Sequence, residues 1–193
     1  MEKLLQTGKT KAIGVSNFSK PEMERLIENA SVQPAIHQFE GHPWLQQREF
    51  ADWHKSKGIH VTHYSPLGNQ NDLYSKAGHI GKLIDEPILN EIGQKHNKNS
   101  AQVTLGKSYF RQTKRKKKIV MCWLDVAWAI SNGYSVLPKS KTPARIKSNL
   151  EGDFKLDNDD LKKIETIDRK LRFNDSSGTF GRDFFQGLEG TSV

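Results

Sequence analysis

The densest run of chemistry-bearing side chains is Lys139, Ser140, Lys141 and Thr142, with Arg145 three residues further on, where a helical pattern begins. Ammonium and guanidinium groups beside hydroxyl donors at a helix start make a phosphate site, because the first turn offers free N–H groups and partial positive charge. Other candidates carry less. His54, His60 and His63 are close in the chain, yet His60 and His63 on a strand point to opposite faces, so they are not expected to share a metal. Asp157, Asp159 and Asp160 lack the glycine and the terminal glutamate of a calcium loop and read as a helix start. Lys114 to Lys118 is a basic run that could meet a polyanion, but no aromatic platform surrounds it, and nucleic acid is not the expected partner.

Charge and composition bound the rest. The chain has 193 residues and a net charge of +8, with 35% hydrophobic residues, enough for a packed core. Between Gly106 and Val126 seven basic residues stand against one acid, so six of the eight net charges belong to that stretch alone. The basic character is therefore local and does not describe a surface spread over the fold. The single cysteine, Cys122, excludes an internal disulfide. No signal peptide and no apolar run long enough to span a bilayer is visible, so a cytoplasmic protein without a membrane partner is expected.

These candidates need elements to position them, and short apolar runs alternate with helical patterns, the mark of a parallel α/β architecture. Residues 12–18 read as a strand. They are followed by a helix in which Ser19 and Glu22 make a capping box, Pro21 sits in the first turn, and Met23, Leu26, Ile27 and Ala30 share one face. A second strand is expected over 34–39, with its helix over Leu45 to Lys57, closed by Gly58, and Phe50 and Trp53 turned inward. Residues 59–68 form a third strand and turn, and 133–140 a fourth. A polar loop from Asn69 to Asp85 leads to a helix begun by Pro87. Residues 142–150 form a helix, and Asp157 caps another carrying Leu161, Ile164, Ile167 and Leu171. Phe173 to Val193 is a tail. Four parallel strands with covering helices are about half of a (β/α)8 barrel, which needs ~250 residues.

Four motifs stand in order along most of the chain: GKTKAIGVSNF, HQFEGHPWLQQ, HYSPLG and LPKSKTPARIKSN. In these motifs the chain resembles the aldo-keto reductases. The tail LRFNDSSGTFGRDFF is similar to that of the glycerol and xylose reductase branch. The resemblance implies a partial (β/α)8 TIM barrel, roughly its last four βα units with a C-terminal helix and tail, and one oxidoreductase domain over 1–193. It also implies NADP-dependent reduction of an aldehyde or ketone to an alcohol, with a small carbonyl or polyol compound as substrate. Ser16, Asn17 and Gln38 then match the residues that hydrogen-bond the nicotinamide carboxamide, and Tyr64 the ring that stacks on the nicotinamide. Ser65 and Leu67 continue under the pyrophosphate. Lys139, Ser140, Lys141, Thr142, Arg145 and Asn149 match the segment that grips the adenosine end and its 2′-phosphate, favouring NADP over NAD. Ser148 departs from the pattern, standing where many members place a longer polar side chain.

In the family, a tyrosine acid, a lysine, an aspartate and a histidine carry the proton chemistry, all upstream of the motif that this chain reaches at residue 12. Met1-Glu2-Lys3-Leu4 resembles an internal family segment, so an N-terminally truncated domain without catalytic residues of its own is expected. Residues 106–126 look inserted. Removing these 21 residues joins Leu105 to Ala127 and sets Trp128 four positions after Val103 and Ile130 four after Leu105, which restores one helical apolar face. Gly106-Lys107-Ser108 can be encoded by a sequence containing a splice donor, and translated intron is the expected origin of the stretch. The alternative function is a non-catalytic module that binds a dinucleotide, or a polyanion through the basic insert.

Overall fold

The computed structural model describes residues 1–68, 81–105, 127–151, 154–175, 177–181, 183, 185, 188 and 191–192. Strands β1 (Gly14–Ser16), β2 (Ile36–Glu40), β3 (His60–Tyr64) and β4 (Ser135–Leu137) form one parallel sheet whose order is that of the chain. Ser16 lies opposite Gln38, Gln38 opposite Thr62 and Thr62 opposite Ser135, while Tyr64 lies between Glu40 and Leu137. Among the described residues β1 and β4 each pair along one edge only.

The helices start where local chemistry permits. After a short α1 (Lys3–Gln6), helix α2 (Lys20–Asn29) opens on the expected capping box: the Ser19 side chain accepts from the Glu22 N–H and Glu22 accepts from the Ser19 N–H. Helix α3 (Arg48–Ser56) begins later than the apolar pattern from Leu45 suggests. Gln47 turns left-handed at φ 45°, and Leu45 instead closes a small antiparallel bridge with His42. Helices α4 (Pro87–Lys95), α5 (Ser100–Leu105) and α6 (Trp128–Ser131) follow, then α7 (Pro143–Asn149) and α8 (Asn158–Glu165). Asp157 caps α8 reciprocally with Asp160, as the acidic run predicts.

Neither Ile167 nor Leu171 is on that helix, which ends at Glu165. Lys170 adopts a left-handed φ of 51°, the chain reverses, and Arg169 and Leu171 donate their N–H groups to the Trp44 carbonyl. Leu171 reaches the core on a two-residue strand, β5 (Leu171–Arg172), which pairs with Thr191–Ser192. The helical spacing that linked it to Ile167 is therefore coincidental.

Strand alternation sorts the sheet into two unlike faces. Phe39 and Val61 pack with Phe50 and Ala51 of α3 and with Tyr134, and a larger cluster joins Trp44, Leu89, Ile92, Val103, Ala127 to Ile130, Leu156 and Ile164. Each large side chain so buried contributes about 1.5–3 kcal/mol. On the opposite face Ile36 is 40% and Leu137 52% exposed while Thr62 and Glu40 are buried, so among the described residues that side is covered only in part. Val103 and Trp128, on either side of residues 106–126, share one core, although α6 starts anew from an extended Ala127. Residues 106–126 themselves, with Lys114 to Lys118 and Cys122, lie outside the described residues, as do residues 69–80 of the long loop.

Candidate functional site

The sequence-derived candidates gather at the C-terminal ends of the strands. β1 stops at Ser16, and Asn17 turns left-handed at φ 57°, a conformation asparagine tolerates better than most residues. Its N–H donates to the Gln38 carbonyl at 3.0 Å, and its side-chain carbonyl accepts from the Tyr64 hydroxyl at 3.0 Å. Asn17, just past β1, thus meets the Gln38 main chain of β2 and the Tyr64 side chain of β3 in one cluster. Ser16 is exposed and Gln38 half-buried, and no protein hydrogen bond engages either side chain among the described residues. Both are available to a ligand.

Tyr64 is held neutral. Burial, and the charge of Glu40 nearby, push its phenol well above the ordinary tyrosine range. Ser65, also left-handed at φ 48°, accepts from the Asn174 side chain at 3.2 Å, and the Gly68 N–H closes the turn on the Ser65 carbonyl at 2.8 Å. Leu67 is half-buried in that turn.

Leu137 lies opposite Tyr64, so the 139–149 segment leaves the same end of the sheet. There Ser140 accepts from the Thr142 N–H at 3.2 Å. Lys139, Lys141, Thr142 and Arg145 are exposed, and none of the three cations meets a carboxylate among the described residues. Asn149 is half-buried, while Ser148 is taken up by Asn99, which donates to its hydroxyl at 3.3 Å.

Glu40 was not a candidate, yet it organises the site. Fully buried, it accepts from the N–H groups of Phe173 and Asn174, at 2.9 Å each, and from His42 Nε2 at 3.1 Å. Burial alone would raise its pKa, but the hydrogen bond and charge of His42 and the two backbone donors bring it below the ordinary carboxylate value. An ionised Glu40 therefore staples the chain after β5 to the end of β2 and delivers Asn174 to Ser65. The partners are 133 and 134 residues away in sequence, which no local pattern reveals.

The three histidines divide as strand parity requires. His63 is buried against Phe39, Trp128 and Tyr134, whereas His60 lies on the other face with its Nε2 3.0 Å from the Ser135 hydroxyl. His54 belongs to α3 and contacts His37. Among the described residues no group of His, Cys, Asp and Glu is placed to hold a metal ion, and no helix is long and apolar enough to cross a membrane.

Comparison with known proteins identifies the family. Residues 1–169 match the family model described as the aldo/keto reductase family. An uncharacterized oxidoreductase of Schizosaccharomyces pombe is 40% identical over 190 residues, 98% of this chain and 52% of its own length. An NADPH-dependent D-xylose reductase of Meyerozyma guilliermondii is 33% identical over 178 residues, 90% of this chain and 50% of that protein. A glycerol 2-dehydrogenase (NADP(+)) of Hypocrea jecorina is 34% identical over 183 residues, covering 94% of this chain and 50% of its own. The chain spans about half the length of the curated relatives it matches.

Proposed function

Because the chain belongs to the aldo/keto reductase family, we propose that it is the cofactor-holding half of an NADP-dependent carbonyl reductase of the sugar or polyol type. The sheet corresponds to the last four strands of a (β/α)8 barrel. Its sequential strand order and the partly open face, where Ile36 and Leu137 are exposed, support that correspondence, since a closed barrel fills the same face with side chains from all eight strands. The observation that carries the functional reading is the cluster of Asn17, Gln38 and Tyr64 at the strand ends.

In this reading Ser16, Asn17 and Gln38 bind the carboxamide of the nicotinamide, and the Tyr64 ring supports one face of it. NADPH, when bound, supplies hydride to a carbonyl carbon. Lys139, Lys141 and Arg145, with Ser140, Thr142 and Asn149, hold the adenosine end, and their exposed cations favour a 2′-phosphate. In this reading residues 106–126 are an insertion foreign to the family, and no proton donor stands among the described residues. Tyr64 is unsuited, since its hydroxyl is committed to Asn17 and its ionisation is suppressed, and Tyr134 is buried beside His63. Loss of positioned acid catalysis costs ~10²- to 10⁴-fold in rate, so this polypeptide binds cofactor without appreciable turnover.

Titration with NADPH and NADH, followed by tryptophan fluorescence, tests the reading. Saturable NADPH binding with NADH weaker by about tenfold is expected, alongside negligible NADPH consumption with D-xylose or glyceraldehyde. Equal affinities, absence of binding, or turnover at ordinary enzymatic rates would each count against it.

A further inference from the structure

The turn that presents Asn17 rests on a pair of buried histidines that the cofactor reading does not use. The Phe18 N–H donates to His37 Nε2 at 3.1 Å. That nitrogen must therefore be unprotonated, and the proton of the neutral ring sits on Nδ1. His37 Nδ1 lies 2.7 Å from His54 Nε2, so His54 accepts there and carries its own proton on Nδ1, which lies 2.7 Å from the Phe50 carbonyl. Only one arrangement of protons satisfies all three contacts: both rings in the Nδ1–H form, with donors running from β2 to the α3 carbonyl.

The surroundings enforce this arrangement. Both imidazoles are fully buried, and the rings of Phe18, Phe39 and Phe50 stand around His37 with centroids 6.5, 5.0 and 5.7 Å away. Burial, and the neighbouring His54, lower the His37 pKa to about 3, so the acceptor lone pair on Nε2 persists at neutral pH. Two successive amides after Ser16 are thereby tied to β2. Asn17 donates to a main-chain carbonyl, and Phe18 donates to a side chain because the left-handed turn has carried its N–H out of the ladder.

We infer that His37, its tautomer selected by His54, is a positioning residue that sets the Asn17 turn and so presents Asn17 to the nicotinamide. This rests on the dinucleotide reading for its last step only. If His54 could not accept, the buried Nδ1–H of His37 would lose its partner, and the ring that holds the Phe18 N–H would no longer be fixed from behind.

Long-range ¹H–¹⁵N correlation on the complete chain reads the tautomers directly, and amide exchange reads the Phe18 contact. Nδ1–H signatures for both histidines are expected in the unaltered protein. In His37→Leu, Phe18 exchange should accelerate by about tenfold or more while the Val61 amide stays protected, and NADPH affinity should fall about tenfold. His37→Gln, which restores an acceptor at similar reach, should recover most of both. His54→Leu, which leaves the His37 Nδ1–H without its acceptor, should speed Phe18 exchange with the same selectivity.

An Nε2–H signature for His37 in the unaltered protein, or Phe18 exchange indifferent to His37→Leu, would overturn the inference. So would lost Phe18 protection with unchanged NADPH affinity. Failure of the unaltered chain to bind NADPH at all would instead count against the cofactor reading, and the tautomer and exchange results would still decide whether His37 sets the turn.

Discussion

The ends of β1 to β3 and the β4–α7 segment are proposed to hold two ends of one ligand, but they are built on opposite principles. Around Asn17 and Tyr64 the polar groups are partly buried, bonded to one another and backed by Glu40, His37 and Asn174. Around Lys141 and Arg145 the side chains are exposed and meet no carboxylate among the described residues. The first region is organised before any ligand arrives. The second offers charge and must order long side chains when a phosphate binds, which costs entropy but little folded-state stability. Substitutions in the first region should therefore act on stability, and in the second on affinity.

Acid should separate the regions most strongly. Burial lowers both His37 and His63 from 6.5 to about 3. Between those values the unfolded chain takes up protons that the folded chain refuses, so stability is fully present above the unfolded value and falls as pH drops below it. At pH 5 each histidine costs about 2 kcal/mol relative to neutral pH, about 4 kcal/mol together. Urea unfolding followed at pH 7 and pH 5 checks this, and a midpoint insensitive to pH would mean that these rings are not buried as described.

Glu40→Gln comes next. It replaces an ionised acceptor by a group with one donor end, facing two backbone N–H groups and His42. A loss of about 3 kcal/mol in urea unfolding is expected. Arg145→Ala sharpens the contrast from the other side. It should shift the unfolding midpoint by less than about 0.5 kcal/mol. The same variant should weaken NADPH by about tenfold and leave NADH nearly unchanged, read by fluorescence titration. A large stability change in Arg145→Ala would erase the distinction between the regions. The smallest effect is expected for Tyr64→Phe, which keeps the ring and removes one hydrogen bond to Asn17. About 1 kcal/mol of stability should be lost, with a modest fall in NADPH affinity.

Much of this was legible in the residues. The Ser19–Glu22 and Asp157–Asp160 caps, the four strands and the opposite faces of His60 and His63 follow from local rules of capping and alternation. The four motifs, read by resemblance, placed Asn17, Gln38 and Tyr64 where the strands end. Local rules misled at Leu45, where the left-handed Gln47 delays α3, and at Ile167 and Leu171, because α8 already ends at Glu165 and nothing in the periodicity marks either break.

The sequence by itself determined the alternation of elements and the cationic character of the 139–149 segment, because these depend on residue type and short spacing, and its four motifs carried the resemblance to the family. Only the tertiary structure decided that Glu40 would be ionised under Asn174, and that His37 and His54 would share a single proton arrangement beneath the Phe18 amide. Burial and partners far along the chain set those states, through desolvation and hydrogen bonds that exist only once β2, α3 and the residues after β5 have come together.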